Sequence, residues 1–454
     1  MRNIFEKIKK FGGQAYFVGG YVRDEFFGFE NKDVDIEVFG IDIKTLIEIL
    51  KEFGKVNIVG QSFGVIKLTT ENNDYDFSLP RRDNKVGKGH KDFEVVVDHT
   101  MTIEEAAKRR DFTFNAISKD EEGKIIDPFG GISDLQNKKL KHTSEHFSED
   151  PLRVLRGFQF CGRFDLIADF STILLCRKIK EEFNNISKDR LFEEFKKWAL
   201  KSKNHKAGLD FLVMSQWIDN FPELRNILGV PQELEFHPEG CVYTHTCYVV
   251  NAMNEICERE NIVGDRKLIL ILSALCHDLG KAETTFYKKG RISAPSHDKV
   301  GGPLTKKFLN SIKCPKYIIK RVISLVEHHM DHLNDISPKM VNKLSVKLGN
   351  ASISDLVLLI EADHSGRPPK EKGVPEKAKQ IIEIARKLGV DKNPPKRIIE
   401  GRDIISIIPQ GEDMGLILKY LYQKQLECKF SDKEGGFRLM KKHHIYHKYK
   451  KSKD

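Results

Sequence analysis

Two carboxylates separated by one residue, Asp33 and Asp35 in DVDIEVFG, are the first residues of the chain whose type and spacing could do chemistry. The run VDIEVFG reads as a strand, and alternate strand residues share a face. The pair therefore projects one way, with Cα atoms roughly 6.6 Å apart. Carboxylates so placed can hold divalent cations, and two-metal sites set their ions about 3.5–4 Å apart to assist phosphoryl transfer. An isolated pair of this kind is more often a solvated strand face. Upstream, AYFVGGYVRD shifts that balance: Gly19 and Gly20 close a short strand without a Cβ, so backbone could approach a ligand, and Arg23 follows. Asp76, in YDFSL, offers a third carboxylate on a neighbouring strand.

Two later motifs carry complementary groups. RRDFTFNAI presents guanidinium donors for phosphate at Arg109 and Arg110, a carboxylate at Asp111 that could meet a ribose hydroxyl, and an amide at Asn115. In SEDPLRVLR, Asp150 followed by Pro151 has the form of a helix cap and first helical residue. Asp150 and Arg153 are three apart and so neighbours on one helix face, with Arg156 three further on. A carboxylate only accepts and a guanidinium only donates. Such a pair could accept from the exocyclic amine of cytosine or adenine and donate to the adjacent ring nitrogen, where uracil and guanine present a carbonyl.

A second constellation lies downstream. The apolar helix LILILSALC runs into His277-Asp278, with Gly280 expected as its C-terminal cap. His245 stands upstream in YTHTCYVV and Asp363 downstream in LIEADHSGR; His297 and His328 could complete a two-metal site. Imidazole with carboxylate makes a site of intermediate hardness, compatible with Mn, Ni, Fe, Co or Mg, and such a metal activates water against a phosphate ester. The order His, His-Asp, Asp resembles the HD phosphohydrolase superfamily.

The elements that must position these groups change character along the chain. AYFVG, VDIEVFG, KVNIVG, GVIKLTT and YDFSLP predict strands, alternating with helical patterns, and Arg81–Thr100 reads as a mobile loop. From about residue 149 the spacing turns helical and stays so, with a break near LGVPQELEFHPEG. The fold expected is α+β, with boundaries giving 1–145, 146–230, 231–370 and 371–454. A net charge of +10 favours a polyanionic partner, and the closing run RLMKKHHIYHKYKKSKD is basic, or equally a disordered terminus. The eight cysteines show no CxxC pair and read as reduced thiols. The start has no signal-peptide core and the longest apolar run is too short to span a bilayer, so a cytoplasmic location is expected.

VGGYVRD…DVDIEVFG, RRDFTFNAI, DPFGGISDL, EDPLRVLR and ISKDRLFEEF, in that order, resemble the motifs of class II tRNA nucleotidyltransferases, the CCA-adding enzymes. The resemblance implies a small polymerase-beta-like nucleotidyltransferase head with a mixed sheet, followed by helical neck, body and tail. It implies that Asp33 and Asp35 bind Mg2+, and that Gly20, Arg23, Arg110 and Arg156 contact the nucleoside triphosphate, with Gly19 beside them. Asp150 and Arg153 would read the base, Asp111 and Asn115 would position ribose or phosphate, and Arg190 and Glu194 would brace the base-reading helix. The substrates implied are tRNA, CTP and ATP, with no membrane partner; oligomeric state stays open. Some members carry an HD domain with 2′,3′-cyclic phosphodiesterase, 2′-nucleotidase or phosphatase activity. Gln159 departs from the pattern, since relatives often place a basic nucleotide-contacting residue there. FGFENK replaces the basic run that precedes the acidic pair in the related poly(A) polymerases, which argues against polyadenylation. Restriction to C or A addition is the alternative, and an HD phosphohydrolase with an RNA-docking head is a further one.

Overall fold

A computed structural model of the chain describes residues 1–28, 33–59, 65–71, 73–85 and 93–450. The FGFENK comparison thus rests on residues of which 29–32 lie outside the description, as do 86–92 of the Arg81–Thr100 segment and the last four of the basic tail. The chain divides into two compact units, Met1–Asn220 and Phe221–Asp454.

All five expected strands form: β1 (Gln14–Val18), β2 (Val34–Phe39), β3 (Lys55–Val59), β4 (Val65–Thr69) and β5 (Asp74–Ser78). The Arg81–Thr100 segment differs from expectation. Its flanks pair as an antiparallel two-stranded sheet, β6 (Arg81–Lys85) with β7 (Phe93–Val97). Its charge and glycine content mask the strand, because ladder bonds come from the backbone whatever the side chains carry. With β8 (Ser118–Lys119) and β9 (Ile125–Ile126), the described residues form a mixed sheet in the order β3-β4-β5-β2-β1-β8-β9. Only β2 and β5 run parallel. The inward residues of the strands, such as Ile36, Val38, Ile66, Leu68 and Phe77, pack with α1 (Arg2–Lys10) and α3 (Ile43–Lys51) into one core. Between them in sequence, α2 (Gly20–Phe26) starts directly after β1.

The rest of the first unit is helical. In α4 (Leu152–Phe164), α5 (Lys188–Lys201) and α6 (His205–Met214), apolar residues at helical spacing, including Phe158, Phe195, Trp198 and Phe211, are fully buried. The second unit is built on α7 (Val242–Arg259), α8 (Gly264–Cys276), α9 (His297–Ser311), α10 (Lys316–His328) and α11 (Ile353–Ser365). A separate apolar cluster around Ile404, Ile417, Leu421 and Met440 organises the C-terminal helices, and a helix spans His444–Lys450. Within the basic tail, residues 438–440 and 444–450 are helical. All eight cysteines are unpaired, and six of them are buried.

Candidate functional site

The acidic group of the head is assembled by strand register. Asp35 on β2 stands opposite Asp76 on β5 in the parallel pair, and Asp33 lies one residue before β2. Paired positions share a face, so these carboxylates meet. Burial holds the Asp35 carboxyl above its usual range; Arg110 draws it down, while Asp76 and Asp33 push it up. A divalent cation suits this donor set because it relieves the mutual repulsion. Beside it, Gly19 turns β1 into α2 at φ +66, a conformation that L side chains rarely adopt. A Cβ there would stand 3.4 Å from Arg110 Nη1 and 3.6 Å from Asp35 Oδ2.

Around this group the guanidinia are held by side chains rather than by water. Arg23, buried, donates from Nε to Asp24 Oδ1 at 2.8 Å and from Nη1 to Asn115 Oδ1 at 2.7 Å. Its guanidinium also lies 5.2 Å from the ring centre of Phe160 and 5.0 Å from that of Phe164. Asn115 Nδ2 donates to Asp111 Oδ1 at 2.8 Å, and Arg156 Nε donates to Asp111 Oδ2 at 2.5 Å. Burial opposes ionisation of Asp111, but Arg156 and Asn115 outweigh it, and the carboxyl stays below its ordinary value. Arg110 pairs with Glu37 at 3.0 Å.

Asp150 and Arg153 are both held by hydrogen bonds. Asp150 Oδ1 accepts from Leu152 N at 3.0 Å, and its Oδ2 accepts from Arg190 Nη2 at 2.9 Å. Arg153 donates from Nη1 to His146 O at 2.6 Å and from Nη2 to Arg109 O at 2.7 Å. These bonds leave a rigid acceptor one helical turn from a rigid donor. Gly19, Gly20, Arg23, Asp35, Arg110, Asp111, Asn115, Asp150, Arg153, Arg156, Arg190 and Glu194 all line one cavity of about 460 Å³. Ten arginine and lysine side chains face four carboxylates there, so the space is built for an anion. Asp33 and Asp76 do not line it.

In the second unit, His245 (α7), His277 and Asp278 (after α8), His297 (start of α9) and Asp363 (α11) converge and are buried. His245 Nε2 lies 3.0 Å from Asp363 Oδ1 and 3.3 Å from His277 Nε2. Asp278 bridges, 3.2 Å from His277 Nε2 and 3.3 Å from His297 Nε2. His328 does not join them: it points to Asp331, with Nδ1 2.8 Å from Oδ2. Its neighbour His329, one residue past α10 and so turned about 100° around the helix, is the one that enters, with its Nε2 3.2 Å from His297 Nε2. Gly280 is also reassigned. Its φ is not left-handed, and a Cβ would fall 2.0 Å from His297 O, so its role is to let the His277-Asp278 turn touch the start of α9.

The tautomers follow from the outer bonds. Nδ1 of His277, His297 and His329 faces the carbonyl oxygens of Ala274, Ala294 and Val326 at 2.7–2.8 Å. Nδ1 of His245 faces Glu239 Oε1 at 2.7 Å. These oxygens only accept, so each Nδ1 carries the hydrogen and each neutral ring turns a lone pair inward at Nε2. Two pairs of Nε2 lone pairs thus confront each other at 3.2–3.3 Å, an arrangement that a shared cation satisfies. Burial, reinforced by His297 and His277, lowers His329 to about 3. Burial works against His245 taking a proton, but Asp363 and Glu239 outweigh it and raise the ring above its usual value. A cavity of about 480 Å³ opens beside the cluster, with Lys281 and Arg367 on one side and Phe236, Ile292, Met330 and Leu333 on another. Sequence reasoning missed His329 and Glu239. The first was signalled by the HH doublet; the second stands in HPEG, a loop segment without periodicity.

Residues 15–141 match the Poly A polymerase head domain, and residues 242–387 match the HD domain. The Multifunctional CCA protein of Tolumonas auensis is 31% identical over 387 residues, 82% of this chain and 90% of the relative. That of Mannheimia succiniciproducens is 33% identical over 393 residues, 83% of this chain and 90% of the relative. Among solved structures, the Bacillus stearothermophilus CCA-adding enzyme in complex with CTP superposes with a TM-score of 0.63 at 19% identity, covering 98% of this chain and 97% of that one. The Thermotoga maritima CCA-adding enzyme complexed with tRNA gives 0.60 at 19% identity, covering 100% and 94%.

Proposed function

The chain belongs to the class II CCA-adding enzymes that carry an HD domain, and from that premise we propose that its head builds and repairs the 3′-terminal CCA of tRNA from CTP and ATP without a template. The observation that carries the base choice is the Asp150–Arg153 pair, each member immobilised by hydrogen bonds. Cytosine and adenine can donate an amine hydrogen to Asp150 while their ring nitrogen accepts from Arg153; uracil and guanine cannot. Arg23, Arg110 and Arg156 take the phosphates, Asp111 and Asn115 orient the sugar, and Arg190 and Glu194 brace the reading helix. Mg2+ held by Asp33, Asp35 and Asp76 would lower the pKa of the tRNA 3′-hydroxyl and balance charge on the departing pyrophosphate.

We further propose that the HD cluster hydrolyses phosphate esters at damaged or cyclic 3′ ends. His245, His277, Asp278 and Asp363, with His297 and His329, would hold one or two divalent ions from Mn, Ni, Co, Fe or Mg, which would activate water. Lys281 and Arg367 face the same cavity as anion partners for the ester. The four regions 1–145, 146–230, 231–370 and 371–454 are proposed as head, neck and body, HD domain and tail, and the cytoplasm as the location. No helix among the described residues is long and apolar enough to cross a membrane.

The test offers purified protein tRNAs lacking CCA, ending in C and ending in CC, with Mg2+ and with CTP and ATP singly and together. Growth to CCA followed by a stop is expected, with UTP and GTP inert. A halt at CC, or addition of A alone to CC ends, would identify the partial-specificity alternative.

A further inference from the structure

On the cavity side of α4, Arg153, Arg156, Gln159 and Arg163 follow one another at three- or four-residue intervals, spanning about 15 Å of helix. With the base read at the Asp150–Arg153 end and the phosphates on Arg156 and Arg23, whose guanidinia lie over Phe160 and, for Arg23, Phe164 as well, a triphosphate runs toward Arg163. At that end the charges are mostly committed. Arg163 donates to Asp24 Oδ2 at 3.2 Å, Lys197 pairs with Glu194 at 2.8 Å, and Gln159 is buried and neutral. Lys201, one turn beyond Lys197 on α5, also lines the cavity and forms no ion pair among the described residues.

Like charges four apart on a helix destabilise it, and here a third, Arg163, stands with them. Burial, then Arg163 and Lys197, depresses the Lys201 ammonium, and the more weakly acting Asp24 and Asp33 do not offset them. A lysine serving only solubility has no need to face a cavity wall beside two other cations.

We propose that Lys197 and Lys201 form an anion subsite for the terminal phosphates of the incoming nucleoside triphosphate, with Lys201 supplying the uncommitted charge that Gln159 does not. This rests on the proposed nucleotidyl transfer in the head. Lys201 acts on phosphate alone, so it serves CTP and ATP alike and plays no part in choosing between them. Its flexible stem and point charge suit a phosphate that must leave as pyrophosphate better than a bidentate clamp would.

Calorimetric titration of wild type and Lys201→Ala with CTP and with CMP, beside single-nucleotide extension kinetics, tests it. Lys201→Ala is expected to weaken CTP and to raise the KM of CTP and ATP by the same factor, about tenfold. CMP affinity, the KM for tRNA and the melting temperature should stay unchanged. Lys201→Arg should retain most affinity, and Gln159→Arg in the Lys201→Ala background should restore it. Unchanged CTP affinity in Lys201→Ala would overturn the subsite. So would a raised KM for tRNA with unaltered CTP binding, which would make Lys201 an RNA phosphate contact. Wild type that binds CTP yet extends no tRNA would defeat the functional reading, while the two CTP titrations still decide the subsite.

Discussion

Asn in place of Asp35 keeps the shape of the side chain and removes the charge that the acidic group turns toward a cation. Asp35→Asn is expected to cut CTP and ATP incorporation by about 10³ or more, with the ester hydrolysis proposed for the HD cluster unchanged. His277→Ala should do the reverse, since it deletes one of the inward Nε2 atoms of the second unit. Radiolabelled incorporation and a cyclic-phosphate assay on the same two proteins check both. A subtler residue is Phe160, whose ring centre lies 5.2 Å from the guanidinia of both Arg23 and Arg156. Phe160→Leu should raise the KM for both nucleotides about three- to tenfold and lower the melting temperature, because it loosens two phosphate-facing groups at once. The acidic pair and the Asp150–Arg153 pair could be read from spacing because their members stand only two and three residues apart in the chain. His328 and His329 could not be told apart, since helix phase at a frayed end is not fixed by sequence.

Helix α4 carries the cavity wall, and its position depends on close approach by α5 and α6. Gly208 in α6 has no room for a side chain: a Cβ would lie 2.7 Å from Phe158 O and 2.8 Å from Trp198 Nε1. Gly208→Ala is expected to cost about 1–3 kcal/mol in urea unfolding. It should also raise UTP misincorporation relative to CTP, because backbone of α4 must yield and carry Arg153 with it. A loss of stability with unchanged base choice would show that the shift stays local to Phe158 and does not reach Arg153. Period-two alternation made the five strands legible, and the apolar spacing of LRVLRGFQFCGRF made α4 legible. The hairpin of β6 and β7 was not, because RRDNK carries a loop's composition while pairing through its backbone.

At the scale of the whole molecule, the order of motifs along the chain anticipated the architecture, but not the convergence of distant groups. His245 and Asp363 meet across 118 residues, a contact that only the packing of α7 on α11 creates. The net charge of +10 predicts that tRNA affinity falls steeply as salt rises, through counter-ion release. A titration between about 50 and 200 mM salt measures the slope, and a flat response would contradict an electrostatic grip. The two cavities also differ in kind. Among the described residues the head cavity is lined by arginine, lysine and carboxylate, and by no imidazole, whereas four imidazoles build the cluster of the second unit. Across about pH 5–8 only imidazole changes charge without help from its surroundings. Within that cluster Asp363 and Glu239 hold His245 above its usual value, against burial. A change of pH across that range therefore addresses the imidazole cluster first and leaves the charge of the arginine-lined cavity largely as it was, a chemical handle on one half of the polypeptide.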